Sequence, residues 1–130
     1  MHSMSKWLTV LFFFPLIAFQ CDKSTAGKCL KGKIVRITCA SIVIEVLNDH
    51  TIGEDGWKGT MPIGTTYNNV FKVANKCDLG DSFRVGDTLH FTIAEPGKED
   101  CIVCAMYDAP PEVKFAIKDV SKTPCKTQNE

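Results

Sequence analysis

The chain reads as a single small all-β domain, an antiparallel β-barrel or sandwich stabilised by disulfides. Three observations predict this. Runs of β-branched residues alternate with turn-forming clusters, no stretch carries a capped helical period, and six of the seven cysteines fall after residue 28. Several short strands at turn-punctuated intervals are the pattern of a sandwich or barrel.

Residues 33–47 (KIVRITCASIVIEVL) open the series. Their β-branched side chains favour an extended backbone. In the first half Val35, Ile37 and Cys39 alternate with Ile34, Arg36 and Thr38. Cys39-Ala40-Ser41 are small enough for a bulge or corner, so the stretch is two strands or one long bent strand. Asn48-Asp49 ends it with turn chemistry. Residues 50–66 hold four glycines and one proline and show no period. They predict a long loop, a feature often tied to function.

Residues 67–75 (YNNVFKVAN) predict a strand with Val70, Lys72 and Ala74 on one face and Phe71 and Val73 on the other. A loop over 77–87 contains two turn sites, Leu79-Gly80-Asp81 and Val85-Gly86-Asp87. Residues 88–94 alternate strictly, with Leu89, Phe91 and Ile93 inward and Thr88, His90 and Thr92 outward. Pro-Gly within 95–100 predicts a hairpin turn, and 101–107 (CIVCAMY) its returning strand. Pro110-Pro111 force an extended link, and 113–120 form the last strand, with Val113, Phe115 and Ile117 inward. A long bent first strand, and the Gly-Asp pair just before 88–94, resemble the small Greek-key barrels of the OB type. A fold of that type does not fix a function.

Ahead of this domain, Lys6 gives a short positive start and residues 7–19 are apolar except for Thr9 and Pro15. A spanning helix needs about 20 apolar residues to cross roughly 30 Å, and Pro15 disfavours a helix here. The pattern is that of a secretory signal. Its end, Leu16-Ile17-Ala18-Phe19-Gln20-Cys21, resembles the bacterial lipoprotein signal, in which the cysteine after the apolar run is lipidated. Phe19 and Gln20 depart from that box, which carries a small residue before the cysteine. The resemblance implies a signal over 1–20, lipidation at Cys21, a flexible tether over 21–28 and attachment to a membrane. The competing reading is cleavage after Ala26, where Ser24 and Ala26 make a small-x-small pattern and the product is soluble. Both readings place the β domain (29–125) and its polar tail (126–130) outside the cytoplasm.

Charge is balanced, fifteen basic against fifteen acidic residues. No single-sign field attracts nucleic acid, which counts against a nucleic-acid partner. Without Cys21 the cysteines are Cys29, Cys39, Cys77, Cys101, Cys104 and Cys125, an even set that predicts a disulfide framework in an exported domain. Six cysteines allow 15 connectivities. A Cys29–Cys125 bridge is preferred here because domain termini often lie close together.

Candidate chemistry is sparse. Cys101 and Cys104 form a CxxC, but a redox pair needs both thiols on one helical turn, whereas strand positions three apart point to opposite faces. His50 and His90 lie in no motif, and Asp49, Glu54 and Asp55 lack the order of a calcium loop. No metal, cofactor or catalytic constellation is expected. Trp57, Met61 and Tyr67 belong to or flank the glycine-rich stretch and form either a lid over the core or an exposed recognition patch. The expected function is a membrane-tethered, non-catalytic binding or structural module for an unspecified protein or small molecule. Two alternatives are a thiol–disulfide accessory using Cys101 and Cys104, and an inhibitor of an extracellular enzyme presenting residues 50–66.

Overall fold

The computed structural model describes residues 27–59, 62–95, 97, 104–106 and 108–125. The strands are β1 (Leu30–Ile37), β2 (Ile42–Val46), β3 (Trp57–Lys58), β4 (Thr66–Tyr67), β5 (Val70–Val73), β6 (Thr88–Ala94) and β7 (Lys114–Ser121), with one short 3-10 turn at Lys76–Leu79. Five of them close a barrel in the order β1-β2-β5-β7-β6, while β3 and β4 make a separate two-stranded ribbon. The all-β barrel class read from the sequence is the class observed. Its neighbours are antiparallel except at one seam, where β5 and β7 run parallel.

β1, like each strand of the closed barrel, pairs along both edges, here with β2 and with β6. Gly32 lies where the two pairings overlap, opposite Val46 and Leu89. A Cβ there would come within 2.6 Å of Ile44 Cγ2 and 2.9 Å of Phe91 Cε1. The glycine therefore leaves room for two core side chains. The barrel centre is aromatic: Phe71 meets Phe91 in a tilted contact at 5.8 Å and Phe115 edge-on at 5.4 Å between ring centroids.

The alternation expected along β1 breaks at a bulge. Ile34 faces Ile44 and Arg36 faces Val43, so Val35 and Arg36 share one partner residue on β2. Leu30 and Ile34 join the barrel core, and Ile37 packs against it after the bulge. Val35 instead turns outward to Val43, Trp57 and Val70. The sequence reading, which put Val35 and Ile37 on one face, is corrected by that extra residue. Ala40 and Ser41 do form the corner between β1 and β2.

Two further expectations change. Residues 50–66 are not one structureless loop. Glu54 bridges Val70 through both backbone bonds (2.8 and 3.0 Å), and Trp57–Lys58 pair with Thr66–Tyr67. Gly53 permits this approach: its φ is +93°, and a Cβ would lie 2.5 Å from the Asn69 carbonyl carbon. Gly53→Ala should therefore cost about 1–3 kcal/mol from the left-handed backbone alone, with more from displacing β5. The urea midpoint reports it, and an unchanged midpoint would contradict the close approach.

Of the returning strand expected at 101–107, residues 101–103 and 107 lie outside the described residues. β6 pairs with β1 over Thr88–Phe91 and with β7 over His90–Ala94, and the described residues 104–106 carry no strand. The expected strand over 67–75 is likewise split, β4 ending at Tyr67 and β5 starting at Val70, with Asn69 at φ 55° between them.

At the parallel seam a side chain continues the ladder. Lys72 and Ala74 donate backbone bonds to Val113 and Phe115 (2.9 and 2.8 Å). Past them Asn75 takes over: its Nδ2 donates to the Ile117 carbonyl at 2.8 Å, and its Oδ1 accepts from the Ile117 N–H at 2.9 Å. The amide thus imitates one more peptide of β5. Asn75→Ala would leave both backbone groups of the buried Ile117 without that partner and should lower stability by about 1–3 kcal/mol. Hydrogen exchange at the Ile117 amide should accelerate; protection equal to wild type would refute the assignment.

Candidate functional site

Among the described residues, a buried polar cluster and an open groove stand out. The first lies on the outer face of the barrel, where the β1 bulge directs Arg36. Its guanidinium lies 4.8 Å from the centroid of the Trp57 ring, a cation–π distance. Arg36 Nη2 donates to Asp108 Oδ1, and Asp108 Oδ2 accepts from Thr38 Oγ1 at 2.8 Å and from Ser41 Oγ. The Arg36 and Asp108 side chains are only 10% and 6% exposed. Burial alone would raise the Asp108 carboxyl, but hydrogen bonds from Ser41 and Thr38, with the charge of Arg36, outweigh it and hold the group below its ordinary value. Among the described residues Arg36 Nε and Nη1 have no hydrogen-bond partner.

This cluster is suited to structure rather than turnover. Ser41 is fully buried and its hydroxyl is committed to Asp108, so it cannot reach a substrate. Trp57 Nε1 donates to the Ala109 carbonyl at 3.1 Å. The segment carrying Asp108 and Ala109 is thereby held against Arg36 and Trp57.

The second place is a groove of about 640 Å³ between the β1–β2 corner and residues 76–85. Ile37, Ile42, Phe83 and Val85 supply its apolar lining, and Lys76, Asp81 and Arg84 its charges. Val85 is 60% exposed. Lys76 Nζ donates to the Cys39 carbonyl at 2.6 Å, and Arg84 Nη1 donates to the carbonyls of Asp81 (2.6 Å) and Phe83 (3.0 Å). Asp87 anchors the turn below Arg84, and its carboxyl is held low first by the Arg84 backbone N–H and then by Lys122.

The sequence candidates are dispersed. Trp57 is no exposed recognition residue: it is 8% exposed, packed with Val35, Val43 and Val70 under the partly buried Tyr67. The reason is the bulge, which turns an apolar side chain outward and requires a cover. Met61 lies outside the described residues, as do Cys21 and Cys101. Cys29 joins Cys125 with Cα atoms 6.0 Å apart, and Cys39 joins Cys104 at 5.6 Å, both normal spans. Cys77 is also disulfide-bonded. Cys104 therefore pairs across the barrel end with Cys39, not within its own CxxC.

His50 Nδ1 lies 3.2 Å from Asn69 Oδ1, while His90, expected on a solvent face, has its Nδ1 buried without a partner among the described residues. Asp49, Glu54 and Asp55 each serve a separate structural contact, with Lys28 and Thr51, with the Val113 N–H, and with the Asn69 N–H. Among the described residues no group of three or more His, Cys, Asp or Glu could hold a metal ion. Sequence reasoning missed Arg36 and Asp108. The available signal was an arginine interrupting an apolar strand, which called for a buried acid somewhere in the chain.

The chain matches no protein-family model and no curated protein sequence at a significant level. No helix among the described residues is long and apolar enough to cross a membrane.

Proposed function

We propose that the protein is an exported, lipid-anchored β-barrel that works as a non-catalytic binding module. The observation that carries this is the Cys29–Cys125 bridge, which spans 96 residues and locks the two ends of the barrel. Bridges that staple a small domain belong to oxidising compartments outside the cytoplasm. That supports reading residues 1–20 as an export signal and Cys21 as the lipidated residue. The strand order, with a long β1 shared between β2 and β6, supports the OB-type resemblance. Small barrels of that kind present ligands at loops and open faces.

Mass spectrometry of the mature protein tests the anchor. A diacylglyceryl or N-acyl Cys21 is the expected N-terminus. A free Gly27 would sink lipid anchoring and leave a soluble exported domain, and an intact Met1 would sink export. Thiol titration of the native protein separates the module from a redox accessory. No readily reduced dithiol is expected, since Cys104 is engaged with Cys39; a facile dithiol–disulfide couple would favour the accessory.

A further inference from the structure

We propose that the groove between the β1–β2 corner and residues 76–85 binds a small amphipathic anion: an apolar body with a single carboxylate or similar headgroup. This deepens the binding-module reading and rests on it. The volume, about 640 Å³, falls within the roughly 300–1,000 Å³ of small-molecule sites. Its lining pairs an apolar floor, Ile37, Ile42 and Phe83, with two cations, Lys76 and Arg84.

The state of those cations points to an anion. Among the described residues Lys28, Arg36 and Lys122 each have a carboxylate partner within 4.0 Å. Lys76 and Arg84, like several surface lysines, form no such ion pair. What sets them apart is that their side chains donate to backbone carbonyls at the groove, with the Asp87 carboxylate acting on Arg84 only at longer range. Carbonyls fix where the two charges sit without neutralising them. An arriving carboxylate would gain charge-assisted hydrogen bonds at preset positions. Asp81, the only acid among the groove's described lining residues, disfavours a second negative charge. A monoanion is therefore preferred over a polyanion such as nucleic acid.

Placement selects a soluble ligand over a lipid of the anchoring membrane. Cys29 precedes the first residue of β1, and the groove opens at Ile37, the last. The strand separates them by roughly 20 Å, so Cys29, to which the proposed tether leads, and the groove lie at opposite ends of β1. Exposed Val85 at the rim would be covered by the ligand's apolar body.

The test uses the mature protein with its disulfides intact and two dyes of nearly equal shape, anilinonaphthalene sulfonate and its uncharged analogue N-phenylnaphthylamine. Saturable one-to-one binding of the sulfonate is expected, weakened by salt, with amide shifts at Phe83 and Val85. K76Q/R84Q should weaken the sulfonate at least about tenfold, the loss of one charge-assisted hydrogen bond, and leave the uncharged dye unchanged. Val85→Asp should weaken both dyes, and because the side chain is exposed it provides a variant that keeps the fold. Equal affinity for the two dyes, sulfonate binding that survives K76Q/R84Q, or no saturable binding would each overturn the proposal. The N-terminal mass and thiol count of the same preparation judge the anchored module separately.

Discussion

Asp108→Ala is expected to lower stability by about 3–5 kcal/mol, the range for removing one partner of a buried ion pair. The change would leave the Arg36 guanidinium charged in a site where its side chain is only 10% exposed. Two of its nitrogens already lack acceptors among the described residues, so its compensation comes from Asp108, Ser41 and the Trp57 face. Thr38 and Ser41 would lose their shared acceptor as well. Combining the change with Arg36→Met should recover much of the loss, because the stranded charge goes with it. Urea unfolding of the four proteins in the cycle measures this; a single-variant loss below about 1 kcal/mol, the scale of a surface pair, would refute burial as the cause.

The same carboxylate sets an acid limit. Its folded pKa lies below the ordinary value, so its contribution is complete above about pH 4. That contribution disappears as pH falls through the lower folded value. Asp49, held low chiefly by its hydrogen bond from Lys28, and Asp87, held low by the Arg84 N–H, change in the same direction. The unfolding midpoint should therefore fall below pH 4, and less steeply in Asp108→Asn.

The second large effect is expected from the bridge between the chain ends. Cys29→Ser with Cys125→Ser should cost about 4.7 kcal/mol, the chain-entropy value for a loop near 100 residues. The barrel should still form, since both cysteines lie outside its strands. Thermal unfolding under non-reducing conditions measures the loss. A melting temperature equal to wild type would show that the ends are held by other contacts.

How much was legible in the sequence depended on whether the signal was local. β6 was readable because Leu89 and Phe91 alternate strictly with more polar neighbours, and both side chains are fully buried. The end of β7 was harder. Asp119 adopts φ 55° and adds a residue opposite β6, yet nothing before it interrupts the pattern. The partners of β6 are a nonlocal property: β6 has two edges, and only the assembled barrel shows that β1 and β7 pair along them.

The candidate site was less legible still. Trp57 was noticed, but whether it faced solvent depended on the bulge at Val35 and Arg36. Asp108 sits 72 residues after Arg36, and no periodicity links an arginine to an acid that distant. The groove joins the β1–β2 corner to a later loop, so Ile37 and Ile42 come from a different stretch than Lys76, Phe83, Arg84 and Val85.

The parallel seam between β5 and β7 has a kinetic consequence. Lys72 pairs with Lys114 and Val73 with Phe115, so the last gap in the cylinder closes only when distant segments meet. A sheet dominated by such nonlocal pairing pays its loop-closure entropy before the contacts repay it, and forms in milliseconds to seconds rather than microseconds. Until β7 arrives, β5 and β6 each present an edge able to pair with another chain. The most aggregation-prone moment for this protein is thus the interval in which the chain is complete through Ala94 but Lys114–Ser121 is not yet seated.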